Sequence, residues 1–251
     1  MEKEFDKIIE EFKKLNRKGY IKGITNNLCN SAGLTLENQL GKNPDSMFLP
    51  DYYGIEVKCT QRFSRYNISL FSLAFDGPNL YESNYLLETY GIRDNVYHEH
   101  KKLIVNLKLN IKVLVYDKYY FELRIDYDNK KIFIRIYDNE LNFLEDRAFI
   151  YFDSLDQRLR VKLHHLALFY ASKNVFNDNL YFRYYKLECY KYKGIDSFIK
   201  CIEEEDVSVA LILQIAKSGK AFLKNKNKNM LFSIRKNSLE SLFNLIYYLE
   251  N

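Results

Sequence analysis

The sequence has little of what divides a chain into tethered parts. Nine glycines and three prolines are spread over 251 residues. There is no Gly/Ser-rich stretch, no internal repeat, and no low-complexity block beyond KNKNKN at Lys224–Asn229. Repeat architectures and long flexible linkers are excluded, and the length suits one large domain or two small lobes. Four cysteines, Cys29, Cys59, Cys189 and Cys201, form no C-x-x-C pair and sit beside apolar residues. That argues against a disulfide framework and for reduced core thiols in a cytoplasmic protein. No apolar run approaches the ~18–20 residues of a membrane-spanning helix. The longest lies around Val209–Ala216, and the N-terminal MEKEFDKIIEEFKK is charged and amphipathic, without a signal-peptide core. Neither membrane insertion nor secretion is expected.

What is present points to a globular protein. Hydrophobic residues make up 47% and charged residues 28%, which a disordered chain would not show. A chain of this size buries roughly 70–75% of its unfolded surface and needs no staples. Tryptophan is absent, yet Tyr and Phe raise the aromatic share to 16%. Tyrosine stacks on bases and is also an ordinary strand residue. The net charge of +5 permits a polyanionic partner without demanding one.

Hydrophobic spacing gives a coarse map. Phe5, Ile8, Ile9, Phe12 and Leu15 share one helical face, and Gly19 is a plausible stop. GLTLENQLG predicts a short helix with Thr35 as N-cap and Gly41 at its end. Strands are predicted over Tyr53–Thr60 and Ile68–Leu73, then through the alternating stretch Leu103–Tyr137, with a turn at Asp128-Asn129. Ser154–Lys173 reads as a helix with Leu159, Leu163, Leu166 and Phe169 or Tyr170 on one side. Tyr181–Tyr192 reads as a strand, Asp196–Glu204 as a helix, and Val207–Ala216 and Met230–Arg235 as strands. Ser238–Leu249 reads as a closing helix. The order is mixed, without regular βαβ units, which predicts an α+β, or mixed α/β, fold.

The chemistry-bearing stretch is Leu49-Pro50-Asp51-Tyr52-Tyr53-Gly54-Ile55-Glu56-Val57-Lys58. In a strand after Gly54, Ile55, Val57 and Cys59 point one way, and Glu56, Lys58 and Thr60 the other. An acid and an amine then share one face while the opposite face is apolar. A bend could bring Asp51 back beside Glu56. Two close carboxylates repel, and a divalent cation with oxygen ligands, Mg²⁺ above all, relieves that repulsion. Such a cation lowers the pKa of a bound water and stabilises developing charge on a phosphate. Lys58 could orient the water and neutralise the phosphoryl group. The pattern D-x4-E-x-K arises by chance about 0.1 times in a chain of this composition. A second match, Asp94, Glu99 and Lys101, lies in the polar RDNVYHEHKK without an apolar strand face and reads as a loop. For Glu56 and Lys58 the competing reading is a cross-strand pair on a solvated strand face.

TLENQLG at Thr35–Gly41 followed by LPDYYGIEVKCT at Leu49–Thr60 resembles the MvaI/BcnI restriction endonuclease family. It is also similar to the mismatch-repair nicking enzyme MutH, both being PD-(D/E)xK nucleases. The family pattern is a T-L-E-x-x-L-G helix, then P-D-F, then G-x-E-[LV]-K, here with Tyr52 for the Phe. Leu86–Gly91 (LLETYG) resembles the family's segment after the catalytic strands. The resemblance implies a restriction-endonuclease-like fold, a mixed central sheet flanked by helices, with a DNA-recognition lobe. Residues 1–100 with part of the C-terminal region would form the catalytic lobe and approximately 101–235 the recognition lobe. Asp51 and Glu56 would be Mg²⁺ ligands, Lys58 the catalytic lysine, and Glu37 a further acid near the metal. The implied protein is a monomeric type II restriction endonuclease that cleaves double-stranded DNA at a short site. A cognate DNA methyltransferase would belong to the same system. The alternatives are a MutH-like nicking enzyme activated by a partner, and a catalytically inert DNA-binding protein of the same fold.

The C-terminal region departs from the family. Many relatives carry an H-D-H-G-T-x-F-R-like base-reading loop there. The corresponding stretch here, Lys220–Arg235, has no histidine, and Ser233 stands where an Arg is common. Lys220, Lys224, Lys226, Lys228 and Arg235 are its candidate DNA contacts, against the alternative of a solvated loop. Arg62 and Arg65, just past the catalytic strand, are candidate phosphate contacts. Glu37 could equally be an exposed helix acid. His98 and His100 would share a face if extended but lack a third ligand. His164 and His165 read as residues at the edge of the core or exposed.

Overall fold

The computed structural model describes residues 3–26, 30–41, 49–79, 81–215 and 229–250. In chain order, α1 (Asp6–Lys18), β1 (Ile21–Lys22), α2 (Ser31–Gln39), β2 (Ile55–Gln61) and β3 (Ile68–Leu73) are followed by α3 (Glu82–Tyr90) and β4 (Ile92–Arg93). Next come β5 (Lys101–Leu107), β6 (Val113–Val115), β7 (Tyr119–Asp126), β8 (Lys131–Asp138), β9 (Phe143–Glu145) and β10 (Phe149–Tyr151). Then follow α4 (Phe152–Leu163), β11 (His165–Phe176), β12 (Asn179–Tyr192), α5 (Ile195–Glu203), β13 (Val207–Leu213), β14 (Asn229–Ile234), α6 (Leu239–Leu242) and β15 (Phe243–Glu250). The α+β class expected from the sequence is what forms. No helix among the described residues is long and apolar enough to cross a membrane.

The chain divides into two compact units, Met1–Ile68 with Leu159–Gly194 and Leu239–Asn251, and Ser69–Arg158 with Ile195–Ser238. This division differs from the boundaries expected near residues 100 and 235. The cause is strand pairing. β11 lies parallel to β2, with His165 opposite Ile55 and Lys58 opposite Leu168. A parallel pair cannot be joined by a tight turn and requires a long crossover. Here most of the crossover, Ser69–Arg158, folds together with Ile195–Ser238 as the second unit.

In the first unit the sheet order is β1-β12-β11-β2, with β15 also on β12, so the sheet is mixed. α1 forms because Phe5, Ile8, Phe12 and Leu15 repeat at helical spacing, and it stops at Gly19, whose φ of 69° suits a residue without Cβ. Its apolar stripe and Ala32 and Leu36 of α2 cover one face of the sheet, over Ile55, Val57, Ala167, Phe169, Phe182 and Tyr184. The Tyr184 hydroxyl donates to Ala32 O at 2.8 Å, so this buried phenol is satisfied. Thr35 is not an N-cap. It lies inside α2, buried, and its Oγ1 accepts from Ile24 N at 3.2 Å.

Two predicted helices are corrected. The helix expected over 154–173 ends at Leu163, and residues 165–176 are the strand β11. Leu166–Tyr170 are buried on both faces between β2 and β12. A strand buried on both faces shows an unbroken apolar run that spacing cannot tell from helix. The closing helix is a single turn, α6, followed by β15. Ile246, Tyr247 and Tyr248 suit a pleated surface, and β12 offers the edge they pair with.

The second unit holds a sheet ordered β3-β14-β13-β5-β4 and another ordered β10-β8-β7-β6 with β9 on β8. Phe71, Phe198 of α5 and Phe232 form an aromatic cluster, with ring centroids 4.9–5.8 Å apart. Glu82 is buried against Arg147 at 3.0 Å. Burial pushes the Glu82 carboxyl up, partly offset by the guanidinium. Cys59, Cys189 and Cys201 are free thiols; Cys29 lies outside the described residues.

Phe169 stands at the centre of the first core, edge-on to Phe12 at 6.0 Å. Phe169→Ala is expected to lower stability by about 3–5 kcal/mol, measured by chemical denaturation. A loss under about 1 kcal/mol would show that this strand is not the buried centre of the sheet.

Candidate active site

The site begins with a turn. Tyr52 and Ile55 exchange both backbone hydrogen bonds at 2.9 Å, leaving Tyr53 and Gly54 as a two-residue loop. Their φ values are 47° and 82°. Two consecutive positive φ angles fit the tight hairpin whose twist matches its strands, and glycine takes the second position without strain. Tyr53 tolerates the first, with the Lys7 ammonium 3.9 Å from its ring centroid. The turn folds Asp51 back alongside β2, where Asp51 Oδ2 accepts from Val57 N at 3.1 Å. The bend that the sequence required is therefore present.

Glu56 points from the face of β2 opposite the core and is only 1% exposed. Lys58 Nζ lies 2.6 Å from its Oε1. Lys162 Nζ lies 3.1 Å from its Oε2. Oε2 is fully buried and makes no hydrogen bond of good geometry, so it is held by charge alone. A buried carboxylate is tolerated only when paired, and here two amines pair it. Lys162 escaped the sequence reading. It occupies the last turn of α4, and β11 beginning at His165 opposite Ile55 is what brings it over Glu56. Once residues 154–173 are read as one helix, nothing in the pattern distinguishes Lys162 from a solvated lysine.

Glu37 lies on α2, half-buried, and α2 packs on the core face of β2. Its charge acts on the Cys59 thiol, which burial first and Glu37 second push up to about 12. The polar face continues across the sheet. Leu168 stands opposite both Lys58 and Glu188. Glu188 accepts from Tyr170 at 2.6 Å and Tyr190 at 2.8 Å, and pairs with Lys186 at 2.7 Å. Burial and Glu188 together push both phenols well above their ordinary range.

The remaining candidates separate. Arg62 and Arg65 are exposed in the loop that follows β2. Arg235 is exposed in the second unit, 3.8 Å from Glu205. Lys220, Lys224, Lys226 and Lys228 lie outside the described residues. In the second D-x4-E-x-K match, Asp94 and Glu99 lie in a loop as expected, whereas Lys101 begins β5 and pairs with Arg93 of β4. Asp94 caps its own turn, accepting from Val96 N and Tyr97 N. Lys101 turns away to Glu88 at 2.9 Å. His98 Nδ1 sits 3.1 Å from Asp94 O rather than beside His100 on an extended face.

Among the described residues no three His, Cys, Asp or Glu side chains converge as a metal cage. The turn bonds Asp51 to Val57 N, the residue after Glu56 in β2, and Glu56 Oε2 is an acceptor with no hydrogen bond. That donor set fits Mg²⁺, which binds through one or two carboxylates and completes its shell with water and phosphate.

Residues 9–243 match the MvaI/BcnI restriction endonuclease family. The chain belongs to that family. Membership in the MvaI/BcnI family implies a DNA-cleaving hydrolase. Two solved structures share the fold. One is the restriction endonuclease MvaI–cognate DNA substrate complex, with 21% identity, 98% of each chain covered and a TM-score of 0.87. The other is restriction endonuclease MvaI in the absence of DNA, with 18% identity, 99% of this chain and 98% of that chain covered, and a TM-score of 0.62. No curated protein matches the chain.

Glu56→Gln would leave Lys58 and Lys162 facing each other without their shared counter-charge. The variant is expected to lose about 1–3 kcal/mol of stability in EDTA, read by chemical denaturation. A variant as stable as the parent would mean that neither lysine depends on Glu56.

Proposed function

We propose that the chain is a type II restriction endonuclease that cleaves double-stranded DNA at a short specific sequence by Mg²⁺-dependent hydrolysis of a phosphodiester. The observation that carries this reading is the Tyr53–Gly54 turn, which sets Asp51 beside β2 next to a buried Glu56 already paired with Lys58. Asp51 and Glu56 would hold the Mg²⁺. The ion would lower the pKa of the attacking water and offset charge gathering on the phosphate. Lys58, at 26% side-chain exposure, is the more accessible of the two lysines and can swing to the water and the phosphate oxygen. Lys162, at 13%, stays against Glu56 and holds that carboxylate in place. Glu37, expected near the metal, instead lies on the core side of β2 beside Cys59, across the strand from Glu56, and would not be a direct metal ligand.

In-line attack would leave a 5′-phosphate and a 3′-hydroxyl. Arg62, Arg65, Arg235, Lys220, Lys224, Lys226 and Lys228 would meet the DNA, the backbone phosphates first. The net charge of +5 is consistent with that partner. The working unit would be a monomer in the cytoplasm, beside a methyltransferase that protects the host site.

The test is to incubate purified protein with a long unmethylated DNA of known sequence, with Mg²⁺ and with EDTA. Discrete Mg²⁺-dependent bands are expected. A smear would remove the sequence specificity, and slow nicks alone would favour a partner-activated nicking enzyme. No cutting in either tube would leave the inert DNA-binding fold. Lys58→Ala is expected to reduce the cleavage rate at least about 100-fold while DNA affinity stays within about threefold. Parental cutting by that variant would refute the assignment.

A further inference from the structure

The loop that leaves the catalytic strand has an unusual surface. Phe63 is 87% exposed and Tyr66 85%, the two highest values among the described large hydrophobic residues. A single exposed aromatic is ordinary. Two within four residues, interleaved with Arg62 and Arg65 as R-F-S-R-Y, are not. Nor do they hang on a slack segment. Arg62 N donates to Ala171 O of β11 at 3.0 Å, Ser64 N to Gln61 O at 3.0 Å, and Tyr66 N to Ser64 Oγ at 3.3 Å. The sheet and the turn thus hold the backbone while the rings point to water. The Arg62 guanidinium stays near, 5.5 Å from the Phe63 ring.

We propose that Phe63 and Tyr66 form a stacking wedge that enters a DNA groove beside the cleaved phosphate and stacks on bases, while Arg62 and Arg65 hold the flanking phosphates. The inference rests on the endonuclease reading above and deepens it. Charge and shape both favour this partner. Guanidinium groups neutralise backbone phosphates, and aromatic faces stack on any base or wedge between base steps. Position favours it as well. Phe63 lies five residues beyond Lys58, and a strand advances about 3.3 Å per residue. The Phe63 Cα is therefore within about 17 Å of the Lys58 Cα, about five base steps at 3.4 Å each.

The experiment uses the full chain in a Lys58→Ala background with Mg²⁺, so that DNA stays intact. Duplexes spanning the mapped cut site carry 2-aminopurine at each position up to six base pairs from the cut. Binding is followed by anisotropy and local unstacking by 2-aminopurine fluorescence. The Lys58→Ala protein is expected to raise the fluorescence severalfold at one or two positions. Adding Phe63→Ala and Tyr66→Ala should abolish that rise and weaken binding about tenfold, with the salt dependence of binding unchanged. Adding Arg62→Ala and Arg65→Ala should instead flatten the salt dependence by about two charges. Tyr66→Phe, which keeps the ring, should keep the fluorescence rise. Tight binding with flat fluorescence at every position would overturn the wedge and leave the endonuclease reading standing. Failure to bind any duplex would overturn both. A wild-type dimer in sedimentation that becomes monomeric in the Phe63→Ala, Tyr66→Ala variant would assign the rings to a contact between copies and also overturn the wedge.

Discussion

The parallel pairing of β2 with β11 joins segments 110 positions apart, His165 lying opposite Ile55, and much else in the first unit follows from it. It supplies the two-sided burial that makes Leu166–Tyr170 a strand. It makes the intervening chain leave the first unit, and residues 69–158 fold with residues 195–238 as the second. It also delivers Lys162 to Glu56, because α4 must end directly above the start of β2. A long loop closure of this kind costs entropy that only a large buried surface can offset. The core formed by α1, α2 and the sheet face of Val57, Phe169 and Tyr184 provides that surface.

On the other face the same pairing creates an electrostatic constraint. Two acids, Asp51 and Glu56, and two amines, Lys58 and Lys162, bring the formal charges to a balance of zero. Glu56 is buried and paired with both amines, and its Oε2 makes no hydrogen bond. The balance also means that a dication gains little from the protein alone. A phosphate arriving with its own negative charge changes that sum in the cation's favour. On the proposed function, binding of the metal and binding of the DNA at this site would be coupled by charge.

How far the sequence speaks depends on how local each feature is. α1, α5 and the β5–β8 region are encoded by periodicity within single segments, and they form as expected. So does the catalytic turn, because Gly54 and the alternation after it are contiguous. β11 and β15 were read as helices because apolar spacing is ambiguous when a strand is buried on both faces or is recruited to an existing edge. The unit boundaries and Lys162 depend on a pairing between distant segments, and no window of sequence contains it. The site was therefore legible in the nine residues Pro50–Lys58 and illegible in its one distant contributor.

That contrast bears on how such an enzyme could change what it reads. Asp51, Glu56, Lys58 and Lys162 all belong to the first unit, tied together by one turn and one strand pairing. Ser233 and Arg235 belong to the second, on or next to β14, where Ser233 stands opposite Ser208 and its carbonyl accepts from the Ser208 hydroxyl at 3.1 Å. Replacing the family's common Arg by Ser at that position removes a long cationic side chain without disturbing the strand, since the ladder uses only the backbone. Substitutions there leave the turn, the parallel pair and the two lysines untouched. On the proposed function, the surface around Ser233 would be free to vary while Asp51, Glu56, Lys58 and Lys162 keep their geometry, because the two sets of residues belong to different compact units.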